Sequence, residues 1–181
     1  TADEDAALHV PTTSSGNHGQ ALALAARMRV VNAHIVMPED APAAKRAAVL
    51  EYGGQITDCA PTLEARETML ATVVAQTGAT FVHPYDDTRI VAGQSTATRE
   101  LLEDVADLDR IVAPVGGGGL LSGAVLSAHH FGRGVVVSGA EPKLADDARR
   151  GLKRGERLPP KPPKTIADGL RTALSPLTFG I

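Results

Sequence analysis

No apolar run in the 181 residues approaches the roughly 20 needed to span a bilayer as a helix. The acidic start TADEDAAL is the opposite of the basic n-region that opens a secretory signal. A cytoplasmic location is therefore the expectation. Cysteine is nearly missing: Cys59 stands alone, so no disulfide can form within the chain. That suits a reducing compartment and a buried structural thiol. An excess of basic charge is lacking as well. With 18 Lys and Arg against 21 Asp and Glu, a net charge of -3 and a pI near 6.0, nothing suggests the basic face that nucleic acid or anionic lipid selects. Small-molecule chemistry remains.

The composition, 43% hydrophobic and 22% charged, can supply one sizeable core or two small ones. Short apolar runs predict strands at His9–Thr13, Ala33–Met37, Gln55–Cys59, Thr80–His83, Arg110–Val115 and Val135–Ala140. Helical patterns lie between and after them, at Asn17–Arg29, Pro42–Tyr52, Leu63–Thr77, Ile90–Val105, Leu120–Phe131 and Ala145–Lys153. This alternation implies an α/β protein with parallel sheets and crossover helices. Pro42 suits a first helical turn, Gly53 and Gly78 suit C-terminal caps, and Met69/Val73 with Leu70/Val74 form a core-facing stripe. A polar, turn-like stretch around His83–Asp87 divides the chain into a small lobe, 1–86, and part of a larger lobe, 87–181. The proline-rich, basic stretch from Gly151 to Lys164 is expected to be a solvated surface loop.

Two strand-to-helix turns carry the chemistry. In VGGGGLLSG, from Val115, four consecutive glycines stand where a strand gives way to a helix N-terminus. Unpaired N–H groups and the positive end of the helix dipole suit a phosphate there, and glycine allows close backbone approach. The dinucleotide fingerprint fails, because Leu121 and Ser122 stand where its last glycine belongs. A P-loop fails because Ala124 follows Gly123. The alternative is a merely flexible turn. In SSGNHGQ, from Ser14, the hydroxyls of Ser14 and Ser15, the amide of Asn17 and the helix-start N–H groups could surround a carboxylate. Plain N-capping is the alternative there.

The ordered set SSGNHGQALALAA, APAAKRAAVLEYG, HPYDDTRIVAGQST, APVGGGGLLSG, GAEPKLADD and TIADG resembles the serine racemase and serine/threonine dehydratase (ammonia-lyase) group of fold-type II pyridoxal-phosphate enzymes. The resemblance runs along nearly the whole chain. It implies the two-lobed, tryptophan synthase β-like fold and pyridoxal 5'-phosphate as cofactor. Gly116, Gly117, Gly118, Gly119 and Leu120 would hold its phosphate, and Asn17 its phenolic oxygen. Ser14, His18 and Arg66 would receive the substrate carboxylate, and Ser15 would be the acid/base opposite the lysine face. Glu141, the Ala145 carbonyl and Asp147 would bind Mg²⁺ or Ca²⁺, an oxygen set suited to a hard cation. Without the resemblance, the two carboxylates read equally as favouring a helix dipole. Gln20 and Tyr52 match positions lining a regulatory ATP site in some racemases.

After removal of the substrate α-proton, two fates are implied. Loss of the β-hydroxyl gives a 2-oxo acid and ammonia, whereas reprotonation on the opposite face gives the other enantiomer. Ser15 permits racemisation, while Tyr85, where animal racemases carry asparagine, favours dehydration. The expectation is an ammonia-lyase acting on serine or threonine, with racemisation second, and a homodimeric parent. The resemblance places the Schiff-base lysine upstream of Thr1 and the partner of the pyridine nitrogen downstream of Ile181. The chain reads as incomplete at both ends and is expected to be inactive alone. A reading from another class is a non-catalytic chain that keeps a phosphate-binding or subunit-contacting surface. Pro11 in an expected central strand, Val30 at a usual helix-ending glycine and Ser95 at a usual glycine each suggest a cost in stability.

Overall fold

The computed structural model describes residues 8–159 and 163–181. The chain divides into two compact units, Thr1–Pro84 and Tyr85–Ile181. In the first, β1 (His9–Thr13), β2 (Asn32–Pro38) and β3 (Gln55–Cys59) form a parallel sheet in the order β1-β2-β3. The connections are α1 (Asn17–Met28) and α2 (Ala43–Glu51), and α3 (Leu63–Thr77) follows β3. The central strand β2 is buried on both faces, which explains its nearly continuous apolar run. Ala33, Ile35 and Met37 pack with Ala23, Ala26 and Val49 of α1 and α2, while Val36 packs with Cys59 and with Val73 of α3. Cys59 is 5% exposed, and burial holds its thiol above the ordinary thiol range.

In the second unit, α4 (Thr88–Asp104) precedes the parallel pair β4 (Arg110–Pro114) and β5 (Val136–Ala140), which are joined by α5 (Gly119–Phe131). Then come α6 (Asp147–Arg154), a 3-10 turn at Asp168–Leu170 and α7 (Pro176–Gly180). No helix among the described residues is long and apolar enough to cross a membrane. Part of the stretch Gly151–Lys164 belongs to α6, and its residues 160–162 lie outside the described residues.

Several expectations need correction. Thr80–His83 is not a strand. It makes one backbone bond to β1, from Val82 N–H to the Pro11 carbonyl at 3.0 Å, too little for a ladder. That same bond overturns the reading of Pro11 as a central-strand residue. β1 has β2 on one side only, and the Pro11 carbonyl faces the other way. Because the N–H and C=O of a strand residue share a side, the missing donor also points away from β2, where proline is tolerated. Pro42 caps α2 from outside, with φ -54° and ψ 131°, rather than occupying its first turn. The apolar end LTFGI contributes to α7. Ser175 starts this helix, accepting the Thr178 N–H at 3.1 Å in a capping box followed by Pro176.

Val30 bears out the expectation of a glycine-type position: its φ is +56°, the one positive φ among described residues other than glycine. α1 ends in a Schellman motif, with Val31 N–H on the Ala26 carbonyl at 2.9 Å and Val30 N–H on Arg27 at 3.3 Å. α2 ends the same way, with Gly54 N–H on Val49 and Gly53 N–H on Leu50, but there Gly53 takes the left-handed position at φ +85°. Ser95 costs less than its position suggests. Its hydroxyl turns back to the Ala92 carbonyl at 2.6 Å, and Gly123 provides the close approach between α4 and α5, since a Cβ there would lie 2.6 Å from Ser95 N.

Candidate active site

The first unit brings Ser14, Ser15, Asn17 and His18 together where β1 runs into α1. The Ser14 hydroxyl accepts the N–H groups of Gly16 and Gly19, each at 3.0 Å, so it caps the helix from outside. A hydroxyl accepts through its lone pairs and keeps one proton, so Ser14 can cap and still donate to a carboxylate. Gln20 makes the first intrahelical bond, to the Gly16 carbonyl at 2.9 Å, which leaves the N–H groups of Asn17 and His18 ahead of the ladder. Gly16 is needed because the Lys45 side chain lies where its Cβ would be. Ser15 is half-buried and Asn17 exposed. His18 Nε2 lies 3.4 Å from the Val82 carbonyl, a weak donor contact. Burial, the largest influence, holds the His18 imidazole below its ordinary pKa; the Val82 carbonyl opposes this and His83 adds to it.

Arg66 occupies the first turns of α3, just past the carboxyl end of β3 and behind the Thr62 cap. It is half-buried rather than an exposed helical arginine, and its Nε is buried without a hydrogen-bond partner among the described residues. An orphaned guanidinium donor at the carboxyl edge of a parallel sheet is where an anion would be received. Gln20 and Tyr52 are half-buried, and Tyr52 packs against the core beneath α1 and α2.

The second unit holds the glycine turn. Gly118 is the N-cap of α5 at φ +90° and has no side chain with which to cap the helix. Ser122 N–H makes the first described bond, to the Gly118 carbonyl at 2.8 Å, so the donors of Gly119, Leu120 and Leu121 precede it. Each glycine is held by its surroundings. A Cβ on Gly117 would fall on the Tyr85 ring, one on Gly116 would lie 2.8 Å from the Gly169 carbonyl, and one on Gly118 would lie 2.5 Å from Leu174. The Thr178 hydroxyl donates to the Gly117 carbonyl at 2.8 Å. Residues 169–178 thus buttress the loop. Sequence reasoning missed them, although Ser175-Pro176 is itself a helix-start signal.

Glu141 follows β5 and accepts the N–H groups of Ala148 at 3.0 Å and Arg149 at 2.8 Å, capping α6. Asp147 is 7% exposed, and its carboxylate has no hydrogen bond or ion pair among the described residues. Asp146, beside it, is occupied by Arg149 and Arg150 at 2.7 and 2.8 Å, which hold its carboxyl at about 2. Among the described residues no three His, Cys, Asp or Glu side chains gather in a metal-ready group.

Parallel strands joined by crossover helices, with a glycine turn at a helix start, make an α/β fold that can hold a phosphorylated ligand. Comparison with known proteins makes this specific: the family model described as "Pyridoxal-phosphate dependent enzyme" matches residues 2–181. The chain belongs to that family. It is 48% identical over 177 residues to a beta-hydroxyaspartate dehydratase of Paracoccus denitrificans, covering 98% of this chain and 56% of the relative. It is 46% identical over 181 residues to a serine racemase of Dictyostelium discoideum, covering 99% and 56%. The solved maize serine racemase superposes with a TM-score of 0.91 at 43% identity, over 94% of this chain and 52% of the other. The chain thus spans a little over half the length of the relatives it matches.

Proposed function

We propose that the full protein carrying this chain is a pyridoxal-phosphate-dependent ammonia-lyase that converts L-serine or L-threonine to a 2-oxo acid and ammonia, with serine racemisation as a second activity. The observation that carries the proposal is the glycine N-cap of α5, part of a run of four glycines whose surroundings leave no room for a side chain. Gly116 to Leu120 fit a phosphate dianion, because that turn offers backbone donors and a helix dipole. Asn17, in the first unit, is proposed to contact the cofactor's phenolic oxygen. When bound, the cofactor supplies the electron sink that makes an amino acid's α-proton removable.

The residues of this chain do the rest. Ser14, through its remaining proton, the free N–H groups at the start of α1 and the unpartnered Arg66 Nε bind the substrate carboxylate. His18, held below its ordinary pKa by burial, adds no charge at this turn and contributes its backbone N–H. Ser15 moves a proton at Cα on the face opposite the lysine, the step that separates racemisation from elimination. Glu141, the Ala145 carbonyl and Asp147 are proposed to hold Mg²⁺ or Ca²⁺. Asp147 supports this, because its carboxylate makes no hydrogen bond or ion pair with a described residue and stays available as an oxygen ligand. From the family resemblance, the protein is proposed to act in the cytoplasm as a homodimer. Incubating the full protein with L-serine, L-threonine or 3-hydroxyaspartate and following ammonia and both enantiomers tests the reading. Cofactor binding without turnover of any of the three would favour the non-catalytic alternative.

A further inference from the structure

The first unit carries a pair of metal-ligating side chains that the proposed chemistry does not use. His9 opens β1 and His34 lies in β2, and the register pairs His9 with Asn32, so His34 is its diagonal neighbour on the same face of the sheet. His9 Nδ1 and His34 Nε2 are hydrogen-bonded to each other at 2.8 Å, with ring centroids 5.0 Å apart and planes tilted by 36°. Both side chains are half-buried, reachable from solvent and restrained by their strands. Two imidazole nitrogens bound cis to one ion at roughly 2.1 Å and a right angle would lie about 3 Å apart. In nitrogen separation the pair is within a few tenths of an ångström of a chelate, with an ion taking the place of the shared proton.

We infer that His9 and His34 form a two-imidazole site for a divalent transition-metal ion with tetragonal preference, Cu²⁺ or Ni²⁺. Imidazole suits these ions, and the short nitrogen separation matches a right-angle bite better than the wider tetrahedral angle of zinc. Among the described residues no third His, Cys, Asp or Glu joins the pair, so water fills the remaining positions. A bound ion would staple β1 to β2 at the ends opposite the Ser14–His18 turn. This site is separate from the oxygen set at Glu141 and Asp147 and from the reading of the protein as a lyase.

The test is copper binding by the full protein, followed by electron paramagnetic resonance and by competition with a chelator. Hyperfine structure from two coupled nitrogens is expected. His9→Gln and His34→Gln should each remove one nitrogen and weaken binding by about tenfold or more, since even an outer-shell partner is worth roughly 10- to 100-fold. Nickel should raise the melting temperature of the wild type but not of either variant. Copper held as tightly by the double variant H9Q/H34Q as by the wild type, or a wild-type spectrum with at most one coupled nitrogen, would overturn the assignment.

Discussion

Substituting Val30 by glycine should stabilise the protein, and the size of the gain can be worked from the structure. Val30 is 94% exposed, so removing its side chain sacrifices almost no packing. Its φ of +56° places a β-branched residue in the left-handed region, which costs an L residue roughly 1–2 kcal/mol. Glycine returns about 0.4–1 kcal/mol of that through the greater freedom of the unfolded chain. The net gain is about 1 kcal/mol, or roughly 2–4 °C in melting temperature for a protein of this size. The Schellman bonds of Val30 and Val31 are made by backbone and survive the change. Gly53, at the same position after α2, provides the reverse experiment. A Cβ there would meet nothing within 4 Å, so Gly53→Val should lose a similar amount for conformational reasons alone. Calorimetry or urea titration of both variants decides the matter. An unchanged or lower stability for Val30→Gly would refute the strain argument, most clearly if Gly53→Val were also silent.

Three further outcomes are expected. Gly117→Ala should weaken pyridoxal-phosphate binding by at least about 100-fold, roughly 2.7 kcal/mol, measured by cofactor fluorescence with circular dichroism confirming the fold, because the new methyl falls on the Tyr85 ring. Asp87 caps α4 through Arg89 N–H at 2.8 Å, and its bonds from Arg89 hold its carboxyl at about 2. Since that value is depressed from 3.8, its stabilisation is present above about pH 4 and lost as pH falls through about 2. The stability gap between wild type and Asp87→Asn, measured by denaturant titration, should therefore close in strong acid. Ser15→Ala in the full protein should reduce racemisation more than ammonia release; equal loss of both in parallel assays would count against its proton-moving role.

The parts of the fold legible in the sequence were those set by local rules. The run around Ile35–Met37 reads as a buried strand because β2 is covered on both faces. Gly53 and Gly78 read as caps because their left-handed φ favours glycine. Thr80–His83 has strand-like residues but finds one backbone partner, and strand pairing is a tertiary fact that no local pattern reports. Pro11 misled for the same reason, because its tolerance depends on which side of β1 is paired. At the candidate site, the two anion-ready turns were visible as small residues between strand and helix. The buttress from Thr178 to Gly117 joins residues 61 positions apart and was not. The orphaned Arg66 Nε likewise needed coordinates, since exposure and partners decide between a solvated arginine and a waiting one.

The proposal turns on the glycine turn of α5 as the cradle for the phosphate of pyridoxal phosphate in a lyase. It is tested most directly by adding L-serine, L-threonine or 3-hydroxyaspartate to the full protein loaded with the cofactor while recording cofactor absorbance and ammonia. An absorbance change and ammonia release are expected with at least one of the three, both abolished by Gly117→Ala. A protein that binds no cofactor, or one whose ammonia release survives that substitution, would contradict it.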